Sequence, residues 1–147
     1  GGTSFAETII EELLIDCLHI KGISCHERPE WLRNPEGNLL ELDIYLTVES
    51  VAIEIQGPQH KRDLYGRPDN LARRLQNDDF KALTCLGRGI SLICLDSEGI
   101  QSREFLRMNS SEQSAILSEL ISVAQKHSPC HIKWTSKDSA YTLQGLK

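Results

Sequence analysis

Hydrophobic and polar residues alternate along two neighbouring segments of the chain, residues 42–47 and 51–56. Period-two alternation predicts two strands, and the polar residues 49–50 between them predict a hairpin turn. A loop of two or four residues would pair Tyr45 with Glu54. The apolar residues of both strands then share one face, which we expect to pack under a helix: Leu42, Ile44, Leu46, Ile53 and Ile55.

The opposite face of the predicted hairpin is polar. The same register pairs Asp43 with Gln56, so that Asp43, Glu54 and Gln56 lie on one face. A slip of one residue would bury the carboxylates among apolar side chains, which disfavours it. Two acids on one face repel each other unless a cation lies between them. The pattern therefore predicts a metal site, provided that the loop has an even length.

The elements on either side of the hairpin are predicted from helical periodicity and turn residues. Residues 4–19 form an amphipathic pattern, with Ser4 and Glu7 at the spacing of a capping box. The segment 23–38 is expected to hold a short strand and then a loop. Pro68 suits the first turn of a second helix. We expect that helix to bury Leu71, Leu75, Phe80, Leu83 and Leu86.

The rest of the chain continues the alternation of helices and strands. Residues 90–95 are nearly all apolar, which is typical of an interior strand covered on both faces. A helix is predicted over 110–127, with a capping box that joins Ser110 to Gln113. The segments 130–134 and 140–143 predict a terminal hairpin. This order indicates an α/β domain with a mixed central sheet flanked by helices.

Composition agrees with one globular domain of 147 residues, of which 39% are hydrophobic and 25% charged. No run of 18 apolar residues exists, so neither a transmembrane helix nor a secretory signal peptide is expected. The five cysteines are an odd number and lie mostly in apolar segments, as reduced thiols do. We therefore expect an intracellular protein of the cytoplasm or nucleoid, with the nucleus as an open alternative. The pairs Cys25-His26 and Cys130-His131 leave open a zinc site where they meet.

Charge is distributed unevenly along the chain. The formal net charge is −5, but residues 1–60 carry −8, residues 61–90 carry +3 and residues 91–147 are neutral. The total argues against a basic nucleic-acid binder. An acidic region beside a basic segment nevertheless suits a protein that holds a divalent cation and a polyanion together. A solvated helix face explains the basic segment equally well.

Together these features resemble the PD-(D/E)XK nuclease superfamily. Its restriction-endonuclease-like core is a helix, a three-stranded antiparallel meander, a crossover helix and a further strand, the αβββαβ order. Asp43 in Leu-Glu-Leu-Asp-Ile-Tyr-Leu and Glu54 in Glu-Ile-Gln match the two acidic positions of the family. Glu7 resembles the auxiliary acid that many members carry on the first helix.

The sequence departs from the family pattern at Gln56, where a lysine usually stands. The very-short-patch-repair and homing-endonuclease-like branch of the family has a similar segment. Here it reads Ala-Ile-Glu-Ile-Gln-Gly-Pro-Gln-His and is followed by Asp78-x-x-Lys81. Lys81 is then the candidate for a displaced lysine. The resemblance covers residues 4–96 of a single domain 1–147, with 97–147 as a C-terminal extension that includes the last helix.

The resemblance implies a metal-dependent endonuclease that hydrolyses DNA by water attack. Mg²⁺ or Mn²⁺ would be held by Asp43, Glu54, the backbone carbonyl of Ile55 and Glu7. Gln56 would orient water or contact phosphate, Lys81 would supply positive charge, and His60 would assist proton transfer. The expected nucleic-acid contacts are Gln59, Lys61, Arg62, Arg67, Arg73 and Arg74.

Two alternatives remain open on the sequence alone. One is a catalytically inactive nucleic-acid-binding module of a larger protein, in which Gln56 marks the loss of catalysis. The other is an RNA-specific nuclease, because both polymers present the same phosphate to the same metal. Cleavage of both DNA strands would further require a homodimer or two successive nicks.

Overall fold

The computed structural model describes residues 4–57 and 79–136, and the backbone of 141–144. The helices are α1 (Phe5–Glu12), α2 (79–87), α3 (Ser97–Ile100), α4 (Arg103–Arg107) and α5 (Ser110–Lys126), and a π-helical turn (Leu13–Cys17) continues α1. The strands are β1 (Ile23–Glu27), β2 (Leu42–Leu46), β3 (Val51–Gln56), β4 (Ser91–Asp96), β5 (His131–Trp134) and β6 (Tyr141–Gln144).

The six strands form one sheet in the order β1-β2-β3-β4-β5-β6. The pairs β1/β2, β2/β3 and β5/β6 are antiparallel, whereas β3/β4 and β4/β5 are parallel. The sheet is therefore mixed, and the predicted α/β class with flanking helices is confirmed. The terminal hairpin is also confirmed as β5 and β6, which extend the same sheet.

Apolar side chains cover both faces of the sheet. On one face α1, the π-helical turn and α5 pack against alternate residues of the central strands, such as Ile44, Ile53 and Ile93. On the other face a smaller cluster joins Ala82 and Cys85 of α2 to strand residues. Leu42 belongs to this second cluster, so its predicted place beside Ile44 is wrong. The first five residues of β4 are buried, as expected for an interior strand.

The β2–β3 loop is four residues long, and its length is even as predicted. Leu46 pairs with Val51, and Tyr45 pairs with Ala52. The predicted pairs Tyr45 with Glu54 and Asp43 with Gln56 are therefore wrong by two residues. Thr47 lies in the turn instead of facing Ala52, and its amide and hydroxyl both donate to the carbonyl oxygen of Gly22, at 3.0 and 2.9 Å.

Two helix starts differ from the predicted capping boxes. Ser4 does accept a hydrogen bond from the amide of Glu7, at 3.1 Å, but the Glu7 carboxylate lies against His26 instead of returning to the cap. The last helix is capped one residue earlier than predicted, by Asn109 together with Glu112. Asn109 is the better cap because its short side chain reaches the Glu112 amide at 2.8 Å.

Helix α2 presents a different stripe to the sheet from the one predicted. Ala82 and Cys85 are buried, whereas Leu83 is 68% exposed. Residues 82 and 85 lie one helical turn apart, so Leu83 points away from the sheet. Phe80 and Leu86 are half-buried, and Leu71 and Leu75 lie outside the described residues. Within the described ranges no helix is long and apolar enough to cross a bilayer.

Candidate active site

Asp43 and Glu54 hold each other in place across the hairpin. The last paired residues of the β2–β3 ladder are Ile44 and Ile53, one position away from both acids. Beyond that pair, β2 and β3 are joined by hydrogen bonds from main-chain amides to the two carboxylates instead of by main-chain pairs. The amide of Asp43 donates to Glu54 Oε2 at 2.7 Å, and the amide of Ile55 donates to Asp43 Oδ2 at 2.9 Å. The two carboxylates, hereafter the inner pair, are therefore oriented by backbone amides.

Lys81 reaches the inner pair from α2. Its Nζ donates to Glu54 Oε1 at 2.7 Å, and the lysine side chain is only 14% exposed. The contact arises because α2 packs on the sheet through Ala82 and Cys85, which places the neighbouring lysine over β3. An acid on each of two strands and a lysine from the next helix thus meet at one point.

Burial shapes the proton affinity of the inner pair. The pKa of Glu54 is raised to about 7, first by burial and further by Asp43, although Lys81 opposes the shift. Burial also raises the pKa of Asp43, against the lowering effects of the Ile55 amide and Lys81. Both raised pKa values mean that Lys81 and the backbone amides do not fully offset the cost of burying two ionised carboxylates. A divalent cation would supply the missing positive charge.

A second group of polar residues lies beside Asp43. The imidazole of His26, on β1, faces two carboxylates: Nε2 lies 3.0 Å from Glu7 Oε2, and Nδ1 lies 2.9 Å from Glu41 Oε2. Arg28 Nη2 lies 3.2 Å from the other oxygen of Glu41. We refer to Glu7, His26 and Glu41 as the outer cluster. Ligand atoms of His26, Glu41 and Asp43 all lie within 4.8 Å of one another.

The outer cluster also has shifted proton affinities. The pKa of His26 is raised, mainly by its hydrogen bond with Glu41 and further by Glu7, while burial opposes the rise. The same hydrogen bond lowers the pKa of Glu41. The pKa of Glu7 is raised by burial and then by Asp43. The two flanking carboxylates therefore favour the doubly protonated imidazole, which can donate from both nitrogens.

Neither protein-family models, nor curated proteins, nor solved structures provide a match to this chain. Asp43, Glu54, Lys81 and Glu7 lie in the arrangement described above. Gln56 is the last residue of β3, two positions after Glu54 and opposite Asp96 of β4. Ile55, whose backbone carbonyl is a predicted metal ligand, follows Glu54 directly, and its amide donates a hydrogen bond to Asp43. Other predicted residues lie outside the described ranges: Gln59, His60, Lys61, Arg62, Arg67, Arg73 and Arg74.

The open zinc alternative is wrong. Cys25 and His26 lie on β1, whereas Cys130 and His131 lie at β5, and three strands separate β1 from β5. Neighbouring strands are about 4.8 Å apart, so the two pairs lie far beyond the reach of one ion. Cys130 is instead buried, and its sulfur accepts a hydrogen bond from the Ser91 hydroxyl. Nε2 of His131 lies 3.4 Å from the sulfur of Cys94.

The donor set around Asp43 suits a hard divalent cation. Carboxylate oxygens are the ligands that Mg²⁺ and Mn²⁺ prefer, and the inner pair offers them from a half-enclosed position where they are already oriented. Lys81 occupies one oxygen of Glu54 in the structure. A cation would compete with the lysine for that oxygen or bind beside it.

Sequence reasoning missed His26 and Glu41 as members of the site. Glu41 could have been found, because it precedes Asp43 by two residues and so follows the same alternation. His26 depends on the β1–β2 pairing, in which Cys25 pairs with Ile44 and Glu27 with Leu42, so that His26 lies opposite Asp43. No local pattern in the sequence specifies that register.

Proposed function

We propose that this protein is a divalent-metal-dependent endonuclease of the restriction-endonuclease-like fold, acting on DNA. The observation that carries the proposal is the meeting of Asp43, Glu54 and Lys81 at the point where the β2–β3 ladder stops. Two acids and a lysine in this arrangement match what the PD-(D/E)XK resemblance implies. The fold order, a helix, three antiparallel strands, a helix and a parallel strand, supports the same proposal.

In this proposal Asp43 and Glu54 would hold the cation, which would supply a water of lowered pKa and charge stabilisation at the phosphate. The backbone amides of Asp43 and Ile55 hold both carboxylates in position before any ligand arrives. Such preorganisation matters because a site that needs no rearrangement spends less of its binding energy on ordering side chains. The product would carry a 5′ phosphate, as the resemblance implies.

In this proposal Lys81 takes the role of the lysine that family members usually carry at the position of Gln56. Its ammonium group lies on the inner pair and can move from Glu54 to a phosphate oxygen or the attacking water. Gln56 follows Glu54 by two residues, so it stands on the same face of β3 and can orient that water through its amide. Gln56 has no titratable group and therefore does not act as a base.

The direct test is cleavage of supercoiled plasmid with Mg²⁺ or Mn²⁺, with and without chelator. We expect metal-dependent nicking by the unmodified protein and no nicking by Asp43→Asn. Glu119→Gln is the matched control, because Glu119 is exposed on α5 and its loss also removes one negative charge. Equal nicking by Asp43→Asn, after removal of contaminating nucleases, would contradict the proposal.

A non-catalytic nucleic-acid-binding module is the second candidate, and the Lys81–Glu54 ion pair is the observation that favours it. A lysine held 2.7 Å from a ligand carboxylate stabilises the site without metal. This candidate predicts binding of DNA or RNA that persists in Asp43→Asn, with no turnover in any metal. Competition between matched DNA and RNA oligonucleotides in the same assays would identify an RNA-specific enzyme.

A further inference from the structure

A small pocket lies where the β2–β3 turn and the segment after the π-helical turn meet α5. Its apolar wall consists of Leu18, Ile20 and Ile121, and Glu49 of the β2–β3 turn also lines it. Its volume is about 260 Å³. Pockets for drug-sized ligands begin at roughly 300 Å³. The pocket therefore has the size of one side chain or of a small organic molecule.

Glu49 carries a buried oxygen atom without a partner. Its Oε1 is buried and has no hydrogen-bond partner within the described part of the chain. The ion pairs between described residues do not include Glu49 either. A buried acceptor without a donor costs free energy, and a ligand that supplies the donor removes that cost. The free oxygen therefore points to a ligand that donates hydrogen bonds.

The backbone on both sides of Glu49 is held in place. Thr47 donates twice to the carbonyl oxygen of Gly22, at 3.0 and 2.9 Å, and the amide of Ser91 donates to the carbonyl oxygen of Ser50 at 3.0 Å. A Cβ atom added to Gly22 would lie 2.5 Å from Thr47 Oγ1, so the two segments also pack closely. Because the turn is already fixed, a ligand that binds Glu49 spends little of its affinity on ordering the backbone.

Helix α5 contributes neutral acceptors to the same pocket. Ser118, Ser122 and Gln125 all line it, and their spacings of four and three residues place them on one face of the helix. Hydroxyl and amide side chains both contain an acceptor oxygen. The pocket therefore combines one carboxylate with several neutral acceptors and an apolar wall.

This combination selects among the possible cations. An ammonium group has three donors and no acceptor, which suits one carboxylate oxygen with neutral acceptors beside it. A guanidinium group pairs best with both oxygens of a carboxylate. A divalent cation takes several charged oxygens. Glu49 is the acid among the described residues that line the pocket, and only its Oε1 is buried without a partner. An ammonium group is thus the best match.

We propose that this pocket binds a primary ammonium group on a short aliphatic stem, with Glu49 as the charged acceptor. A lysine side chain and a free alkylamine both have this chemistry. The apolar wall would cover the stem, because the methylene groups of such cations pack on apolar surface while the charged end stays among polar groups. The pocket lies on the face of the sheet that α5 covers, opposite to α2 and Lys81, so the inference goes beyond the proposed function and does not depend on it.

The test is a titration of the whole chain with n-butylamine, followed by ¹H–¹⁵N correlation spectra. We expect saturable shifts of the amides of the turn 47–50 and of Ser122, with a Kd on the order of 1 mM. n-Butanol has the same stem without the charge and should bind roughly tenfold more weakly. Glu49→Gln should weaken the binding of n-butylamine by roughly the same factor. Glu104→Gln is the matched control, because Glu104 is exposed on α4 and outside the pocket.

Two further probes distinguish the sources of the ammonium group. N-acetyl-lysine-N-methylamide presents it on a polypeptide side chain, and the corresponding arginine derivative presents a guanidinium group instead. Tighter binding of the lysine derivative than of n-butylamine would support the proposal with a lysine side chain of a polypeptide as the source. Equal or weaker binding of the lysine derivative would support it with a free alkylamine as the source. The arginine derivative should bind more weakly than the lysine derivative in either case.

The inference is overturned by any of four results. These are the absence of saturable shifts at the pocket amides, equal binding of n-butylamine and n-butanol, unchanged binding of n-butylamine in Glu49→Gln, and equal binding of the lysine and arginine derivatives. If Glu49→Gln does not fold by circular dichroism, Ser122→Leu replaces it. The larger side chain would fill the pocket from the exposed side of α5 and should abolish the shifts.

Discussion

The inner pair and the outer cluster both place buried or half-buried acids beside a basic side chain, but they are held in different ways. Asp43 and Glu54 are fixed by backbone amides of the opposite strand. Glu7 and Glu41 are joined through the ring of His26, which is a side-chain contact on both sides. Backbone bonds leave the inner pair little freedom, whereas rotation of one ring reorganises the outer cluster. The comparison indicates a rigidly held pair of acids beside a more adjustable side-chain cluster.

The largest expected effect is on the rate of plasmid nicking, which should fall much more when the inner pair is altered than when the outer cluster is. Glu54→Gln should lower plasmid nicking on the order of 1,000-fold, because it removes a proposed metal ligand that would contribute several kcal/mol in the transition state. His26→Asn should reduce nicking in Mn²⁺ far less, by roughly tenfold, since the inner pair still binds its ion. Rates under single-turnover conditions measure both losses. An equal loss of nicking in the two variants would show that the inner pair and the outer cluster contribute equally to catalysis.

Stability should respond most strongly to loss of Lys81. Lys81→Met leaves the buried Glu54 carboxylate without its cation, at an expected cost of about 3 kcal/mol at pH 8. At pH 5 Glu54 is protonated, so the cost should shrink to about 1 kcal/mol. Urea denaturation at both pH values, in chelator, measures the difference. The same loss at pH 5 and pH 8 would assign the effect to packing of the lysine stem instead.

The metal-free protein should lose stability as pH rises. The pKa of folded Glu54 is about 7 against an ordinary value of 4.5, so the folded state keeps a proton that the unfolded state releases, and stability falls between those values. The raised pKa of His26 acts in the same direction: its contribution is complete below 6.5 and is lost as pH passes the folded-state pKa. The decline from pH 5 to pH 8 should reach up to about 3 kcal/mol.

Glu54→Gln is the matched variant for this pH dependence. It should flatten the part of the decline below pH 7 and leave the part that belongs to His26. Free energies of unfolding at four pH values from 5 to 8 are sufficient. A wild-type stability that increases over this range would show that the acids of the inner pair are well compensated without metal.

The smallest expected effect is the stability cost of disrupting the outer cluster. His26→Asn should cost about 1 kcal/mol or less at pH 6, because the ring is 24% exposed and its ion pairs are partly screened. His127→Asn should change the free energy of unfolding by much less. A cost near that of Lys81→Met would mean that the outer cluster is as rigid as the inner pair.

The strands and their alternation could be predicted from sequence because each residue's face follows from its own segment. Alternation within each strand predicts that Asp43 and Glu54 share one face, and the even loop length preserves this arrangement although the register differs by two residues. The predicted register differs by two residues because the turn occupies residues 47–50, where Thr47 binds the carbonyl of Gly22, a residue distant in sequence. Local periodicity carries no information about such a contact.

The contacts between elements were harder to predict for the same reason. Lys81 was a candidate from its spacing, but its hydrogen bond with Glu54 depends on which stripe of α2 faces the sheet. Apolar spacing favoured a stripe containing Leu83, whereas the structure buries the smaller Ala82 and Cys85 against β3 and β4. Small residues allow the helix to lie close to the sheet, and that close approach is what brings the lysine within reach.

The left-handed backbone of His26 has a consequence for association between molecules. Among the strands that the structure describes, β1 lies at an edge of the sheet, and a straight edge presents unpaired amides and carbonyls that can add a strand from another molecule. A φ of 56° at its fourth residue interrupts the extended conformation between Cys25 and Glu27. The edge therefore offers only a short run of main-chain groups in register. The backbone of His26 thus disfavours the addition of a strand from a second molecule at this edge.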